Sequence, residues 1–177
     1  YTEMFTDRAV WPALGNSLYV AGISVVINVV CGVPAAIALP RVGRYSRTLF
    51  TVLLSLGLSS PTIVTAFAYF DLYSRIGMRG SLTAVAVAVA VTCFPFMLWT
   101  VLAAIEDTDP NVVPAAATLG ADPVEQFLFV RLPLLAPGIV TGALVVFVLS
   151  ITDFVVSQVL TTIDNQTLPV FVYSGLR

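Results

Sequence analysis

Four charge-free runs decide what this chain can fold into. Residues 9–40, 48–70, 80–105 and 132–152 contain no Asp, Glu or Arg over 32, 23, 26 and 21 positions. A helix crosses the roughly 30 Å hydrocarbon core of a bilayer with about 20 apolar residues. Inside lipid, every backbone N–H and C=O must find a partner within the protein, which selects helices over open strands. The expected fold is therefore all-α, a polytopic transmembrane bundle. Its membrane helices, about four in number, are expected near 14–39, 48–72, 81–105 and 136–160. The Ala-Val alternation from Ala84 to Val91 has a strand's period, but the length of its run outweighs that pattern. Composition agrees: 58% of residues are hydrophobic and 10% charged, against about 45–50% and about 25% in soluble domains.

Missing residue types narrow the chemistry. The sequence has no His, and all eight cations are Arg. Ser-His or Cys-His catalysis and imidazole metal sites are excluded, and without Lys no Walker A phosphate loop can form. Cys31 and Cys93 lie in apolar runs with no metal spacing, and are expected to act as small hydrophobes. The chain is expected to be no enzyme, with no catalytic or metal site. A formal charge of −2 argues against nucleic acid as a partner.

Pro34, Pro61, Pro95 and Pro137 fall inside the expected helices and read as packing kinks or as bends lining a path. Gly138-x-x-x-Gly142 could bring two helices close together. Arg41, Arg44 and Arg47 make the first loop the densest cationic stretch, which places it and the third loop in the cytoplasm and Arg75 and Arg79 outside. Trp11, Trp99, Tyr45, Tyr69 and Tyr73 fall near helix ends, as interfacial aromatics do.

The third loop, 106–133, holds five of the ten acids and is long enough to suggest a function. A first short helix runs to Leu119, with Gly120 placed to stop it in the left-handed conformation. A second starts at Asp122 as N-cap, with Pro123 at the first helical position and Glu125 closing a capping box, and is expected to end near Arg131. Val124, Phe127, Leu128 and Arg131 share one stripe. Such a pair either lies on lipid or docks a soluble partner.

The spacing Ala115-Ala116, three residues, Gly120, nine residues, Val130-x-Leu132-Pro133 resembles the EAA loop of inner-membrane permease subunits of binding-protein-dependent ABC importers. Pro114 stands where that pattern has Glu, and Val130 where it has Ile. Gly32-Val-Pro34 and Ser60-Pro61-Thr-Ile-Val are also typical of the family. The resemblance implies a single permease domain over 1–177, cut from a longer polypeptide of about six helices. Tyr1 in place of Met and the absence of a signal-peptide pattern at the start suit that expectation. It implies short cytoplasmic coupling helices, a multi-pass position in a bacterial inner membrane, and three kinds of partner: a cytoplasmic ABC ATPase dimer, a second permease subunit and an external solute-binding protein. The chain itself would bind no cofactor, because the ATPase uses the ATP. Pro114, Ala115, Ala116, Gly120, Asp122, Glu125, Val130, Leu132 and Pro133 would form the coupling loop.

Asp153 is the notable charge within the expected membrane helices, and an ionisable group there is a functional candidate. On a continuous helix, Ser150, Asp153, Ser157 and Gln158 share about one face and would line the substrate pathway; the alternative is a structural hydrogen bond. Asp71 is expected at the membrane interface. The Asp153-Phe-Val-Val-Ser157 string and Thr167-Leu-Pro169 are most similar to spermidine/putrescine-type permeases, so a polyamine is the expected cargo. Permeases for ferric iron, phosphonate or thiamine carry similar strings. An ion-coupled carrier or channel would show several intramembrane polar groups rather than one.

Overall fold

A computed structural model of the chain describes residues 10–175. Its elements are α1 (Val10–Ala38), α2 (Arg44–Ser59), α3 (Thr62–Arg75), α4 (Leu82–Glu106), α5 (Val112–Thr118), α6 (Pro123–Ile151), α7 (Val155–Leu160) and α8 (Leu168–Gly175). The described residues contain helices and turns and no strand. Helices α1, α4 and α6 are each long and apolar enough to cross a bilayer, and the Ala-Val run is helical within α4.

The core is α4 packed between α1 and α6. Ser24 Oγ donates to the Ala86 carbonyl at 3.0 Å, and Asn28 Nδ2 donates to the Ala90 carbonyl at 3.0 Å. Both partner numbers advance by four, so α1 and α4 run parallel. Bonds of this kind hold membrane helices together where the hydrophobic effect cannot. Asn28 is completely buried, and its Oδ1 has no hydrogen-bond partner; sequence reading did not single it out. Helix α6 runs the opposite way: Gly138 sits against Thr100 and Ala104, Gly142 against Met97 and Thr100, and Ser150 Oγ lies 4.0 Å from Cys93 Sγ. A Cβ on Gly138 would stand 2.5 Å from that of Ala104. The Gly-x-x-x-Gly spacing is therefore a real contact, made possible by two missing side chains. Cys93 is buried as expected, whereas Cys31 faces outward.

Parallel α1 and α4 require the intervening chain to return across the bundle, and α2 with α3 makes that crossing as a broken span. The expected continuous helix over 48–72 does not form. The two halves meet at Ser60-Pro61 with a bend of 99°. Pro61 has no N–H and drives the preceding residue into extended backbone; Ser60 takes ψ 138°. The Ser59 and Ser60 hydroxyls meanwhile bond back to Ser55 and Leu56, and the ladder ends there. Pro34, Pro95 and Pro137 remain inside helices.

The two ends of the bundle carry different groups. At one, Arg47 pairs with Glu106 at 2.9 Å, joining the first loop to the third as expected of loops on one side. At the other, Asn165 Nδ2 donates to the Gly80 carbonyl, and the backbone N–H of Leu168 donates to Ser17 Oγ. Asp71 pairs with Arg75 in an exposed position, as an interfacial acid should.

Gly142→Val is expected to lower the thermal unfolding midpoint in detergent, at a cost of about 1–3 kcal/mol for overfilling a packed interface. Gly15→Val, at a position with open space around it, serves as the control.

Candidate coupling and translocation sites

The third loop folds into two caps placed back to back. Helix α5 begins at Val112, with Pro114 in its first turn, where a missing N–H costs nothing. It stops at Gly120, whose φ of +92° is in the left-handed region. The Gly120 N–H donates to the Ala117 carbonyl and the Ala121 N–H to the Ala116 carbonyl, both at 3.1 Å. This pair of bonds is a Schellman motif, and it closes the end of α5. Two residues on, Asp122 Oδ1 accepts from the N–H groups of Val124 and Glu125 at 2.8 and 2.7 Å. Glu125 Oε2 accepts from the Asp122 N–H at 3.0 Å. The expected capping box is complete.

The second helix does not end near Arg131. It widens into a π turn over Gln126–Arg131 and continues as α6 through Leu132 and Pro133 to Ile151. The Leu132 N–H donates to the carbonyl of Phe127, five residues back. In an α register the Pro133 ring would meet the Phe129 carbonyl, and the wider turn makes room for it. The consequence is mechanical: the second half of the third loop, from Pro123, and the fourth span are one rod.

No residue of α5, and none from Pro123 to Arg131, is buried. Leu119 is 89% exposed and Phe129 75% exposed, with Val124 also standing clear. Pro114, Ala115, Gly120, Asp122, Glu125, Leu132 and Pro133 are exposed, while Ala116 and Val130 are half-buried. A cavity of about 340 Å³ separates the loop from the bundle, bordered by Ile37, Arg41, Asp109, Val113, Arg131 and Leu135.

The four candidate pathway residues do not form one helical face. The helix breaks between α6 and α7, at residues 152–154. Asp153 Oδ2 accepts from both the N–H and the Oγ–H of Ser157 at 2.9 Å, and so caps the start of α7. Ser150 and Ser157 are buried, Asp153 is half-buried, and Gln158 points outward. An acid in an apolar span recovers lost hydration from local N–H and O–H donors, and here it does so by ending one helix and starting another.

Comparison with known proteins places this geometry. The model of the family "Binding-protein-dependent transport system inner membrane component" matches residues 28–172. The chain belongs to this family. It is a multi-pass inner-membrane protein. It is 28% identical over 185 residues to the putrescine transport system permease protein PotI of Escherichia coli K12, covering all of this chain and 66% of that protein. It is 26% identical to the spermidine/putrescine permease protein PotC of Haemophilus influenzae, covering 69% of it. To the sulfate permease protein CysT of Salmonella typhimurium it is 31% identical over 166 residues, covering 87% of this chain and 60% of that one. The chain thus spans somewhat under two thirds of the length of several relatives. The fold matches a chain of a bacterial ABC transporter involved in alginate import, with a TM-score of 0.76, 21% identity, and 98% and 60% of the two chains covered.

Gly120→Val forces a branched side chain into the left-handed region, at a cost of about 1–2 kcal/mol. The variant is expected to insert in the membrane normally and to become more sensitive to proteolysis near 119–122. An unchanged digestion pattern would show that the turn does not depend on glycine.

Proposed function

We propose that this chain is the membrane permease subunit of an ABC importer. It forms a solute path with a second permease subunit and receives cargo from an external binding protein. A separate ATPase dimer supplies the energy, and the chain itself binds no cofactor. The observation that carries this reading is the rigidly capped α5–α6 corner, in which no residue from Val112 to Arg131 is buried. Leu119, Val124 and Phe129 project from it among the acids of 106–125, in a part of the chain that contributes nothing to the core. An apolar surface held in fixed shape by a Schellman motif and a capping box suits burial in a groove of a soluble partner. Because α6 is one rod from Pro123 to Ile151, a push on the corner is delivered directly to a membrane span. Alternating access by rocking of that rod follows from the same continuity.

For the cargo we propose a polyamine. Support comes from the putrescine and spermidine/putrescine permeases among the relatives, which match over the full chain. The capping role of Asp153 gives this choice no added weight.

The docking reading is tested with Leu119→Asp and Phe129→Asp in the full-length permease, expressed together with its ATPase. Normal membrane insertion with loss of ATPase co-purification is expected; undiminished co-purification would sink the assignment. The cargo reading is tested by uptake of labelled putrescine and sulfate through the complete transporter. Putrescine uptake is expected, and uptake of sulfate alone would overturn it. Asp153→Asn keeps an oxygen that can accept from Ser157 while removing the charge. If Asp153 also attracts a cationic cargo, uptake weakens with insertion unchanged, whereas full uptake leaves it a purely structural cap.

A further inference from the structure

The break between α2 and α3 lies level with the middle of α4. Ser60 is 13 residues beyond Arg47, whose pair with Glu106 marks one end of the bundle, and Pro61 is 19 before Gly80, whose carbonyl accepts from Asn165 at the other. Across from the break stand Val91, Thr92 and Pro95, near the midpoint of α4, and together they enclose a cleft of about 230 Å³. Non-helical backbone at this depth is tolerated only when protein covers it or when it lines water. Within the described chain nothing covers it: Ser59, Ser60, Pro61, Thr62, Ile63 and Val64 are all exposed, and no residue of α2 is buried. No side chain caps the first turn of α3. Pro95 has no N–H to offer the Val91 carbonyl, so a second helix presents an under-bonded backbone group at the same level. The Ser60, Thr65 and Thr92 hydroxyls donate to carbonyls of their own helices and keep oxygens that can accept, Thr62 adds a further hydroxyl, and the cleft wall carries no acid and no arginine.

Resting on the importer reading, we propose that this break is a water-facing wall of the solute path. It is an uncharged, hydrogen-bonding surface set at mid-membrane, and it faces the path rather than lipid. Its hydroxyls and free carbonyls replace water around a passing polar solute without fixing the sign of that solute's charge.

The test uses the assembled transporter in membrane vesicles, with Cys31→Ala and Cys93→Ala as background. Ser60→Cys, Thr62→Cys and Thr65→Cys are exposed to a membrane-impermeant quaternary-ammonium methanethiosulfonate. Val140→Cys and Leu144→Cys, exposed apolar positions on an unbroken stretch of α6, are the controls expected to face lipid. The break cysteines are expected to react about tenfold or more faster than the controls, since only a hydrated thiol ionises readily. Equal rates, or reaction only with a lipid-soluble maleimide, would overturn the proposal. Thr62→Cys and Thr65→Cys keep the Ser59-Ser60-Pro61 sequence, so they report even where Ser60→Cys fails to insert. Water access is read with or without turnover. A dry break would leave the importer assignment intact, and a missing ATPase would leave a hydrated break intact.

Discussion

Backbone hydrogen bonding in a medium without water is the constraint on which this structure depends. It forces the long apolar runs into helices and makes every interruption costly. Each interruption must therefore be repaired locally or turned toward something polar. The structure shows two local repairs and one break left open. At residues 152–154 the break is repaired, because Asp153 supplies a carboxylate to the N–H and hydroxyl of Ser157. At Gln126–Arg131 the helix bends its own register to pass Pro133 and stays continuous. At Ser60-Pro61 neither device is present and the chain turns by 99°.

The same constraint explains how the bundle holds together. Hydrocarbon around the helices removes most of the gain from burying apolar groups. Close approach and shared polar groups take its place: the small faces of Gly138 and Gly142 against α4, and the donors of Ser24 and Asn28 against carbonyls of α4. Helix α4 is thereby fixed on two sides, which leaves α2 and the α5–α6 corner as the parts least tied to the core. Those are the parts that the proposed function needs to be free for other molecules.

Local chemistry made much of this legible in advance. Gly120 and the Asp122-Pro-Val-Glu125 cap could be read directly because every atom in them is supplied by neighbours in sequence. Gly138 and Gly142 were legible as a spacing but not as a contact, since the partner residues Met97, Thr100 and Ala104 lie about 40 positions away. Asn28 carries a signal of its own: an amide deep in a charge-free run has to find a buried partner. Asp153 was recognised as exceptional, but its face was drawn on a continuous helix. The break at 152–154 leaves Gln158 exposed while Ser150 and Ser157 are buried.

Sequence alone determined that the chain is a set of membrane helices, where its loops carry charge, and how the α5–α6 corner is capped, because run length, composition and short-range hydrogen bonding need no knowledge of distant residues. Only the tertiary structure decided which of four prolines ends a helix, that the end of the third loop and the last long span form one rod, and which helices share polar contacts. Those outcomes depend on whether a neighbour stands close enough to accept or replace a lost hydrogen bond. That is a property of packing, and no window of sequence contains it.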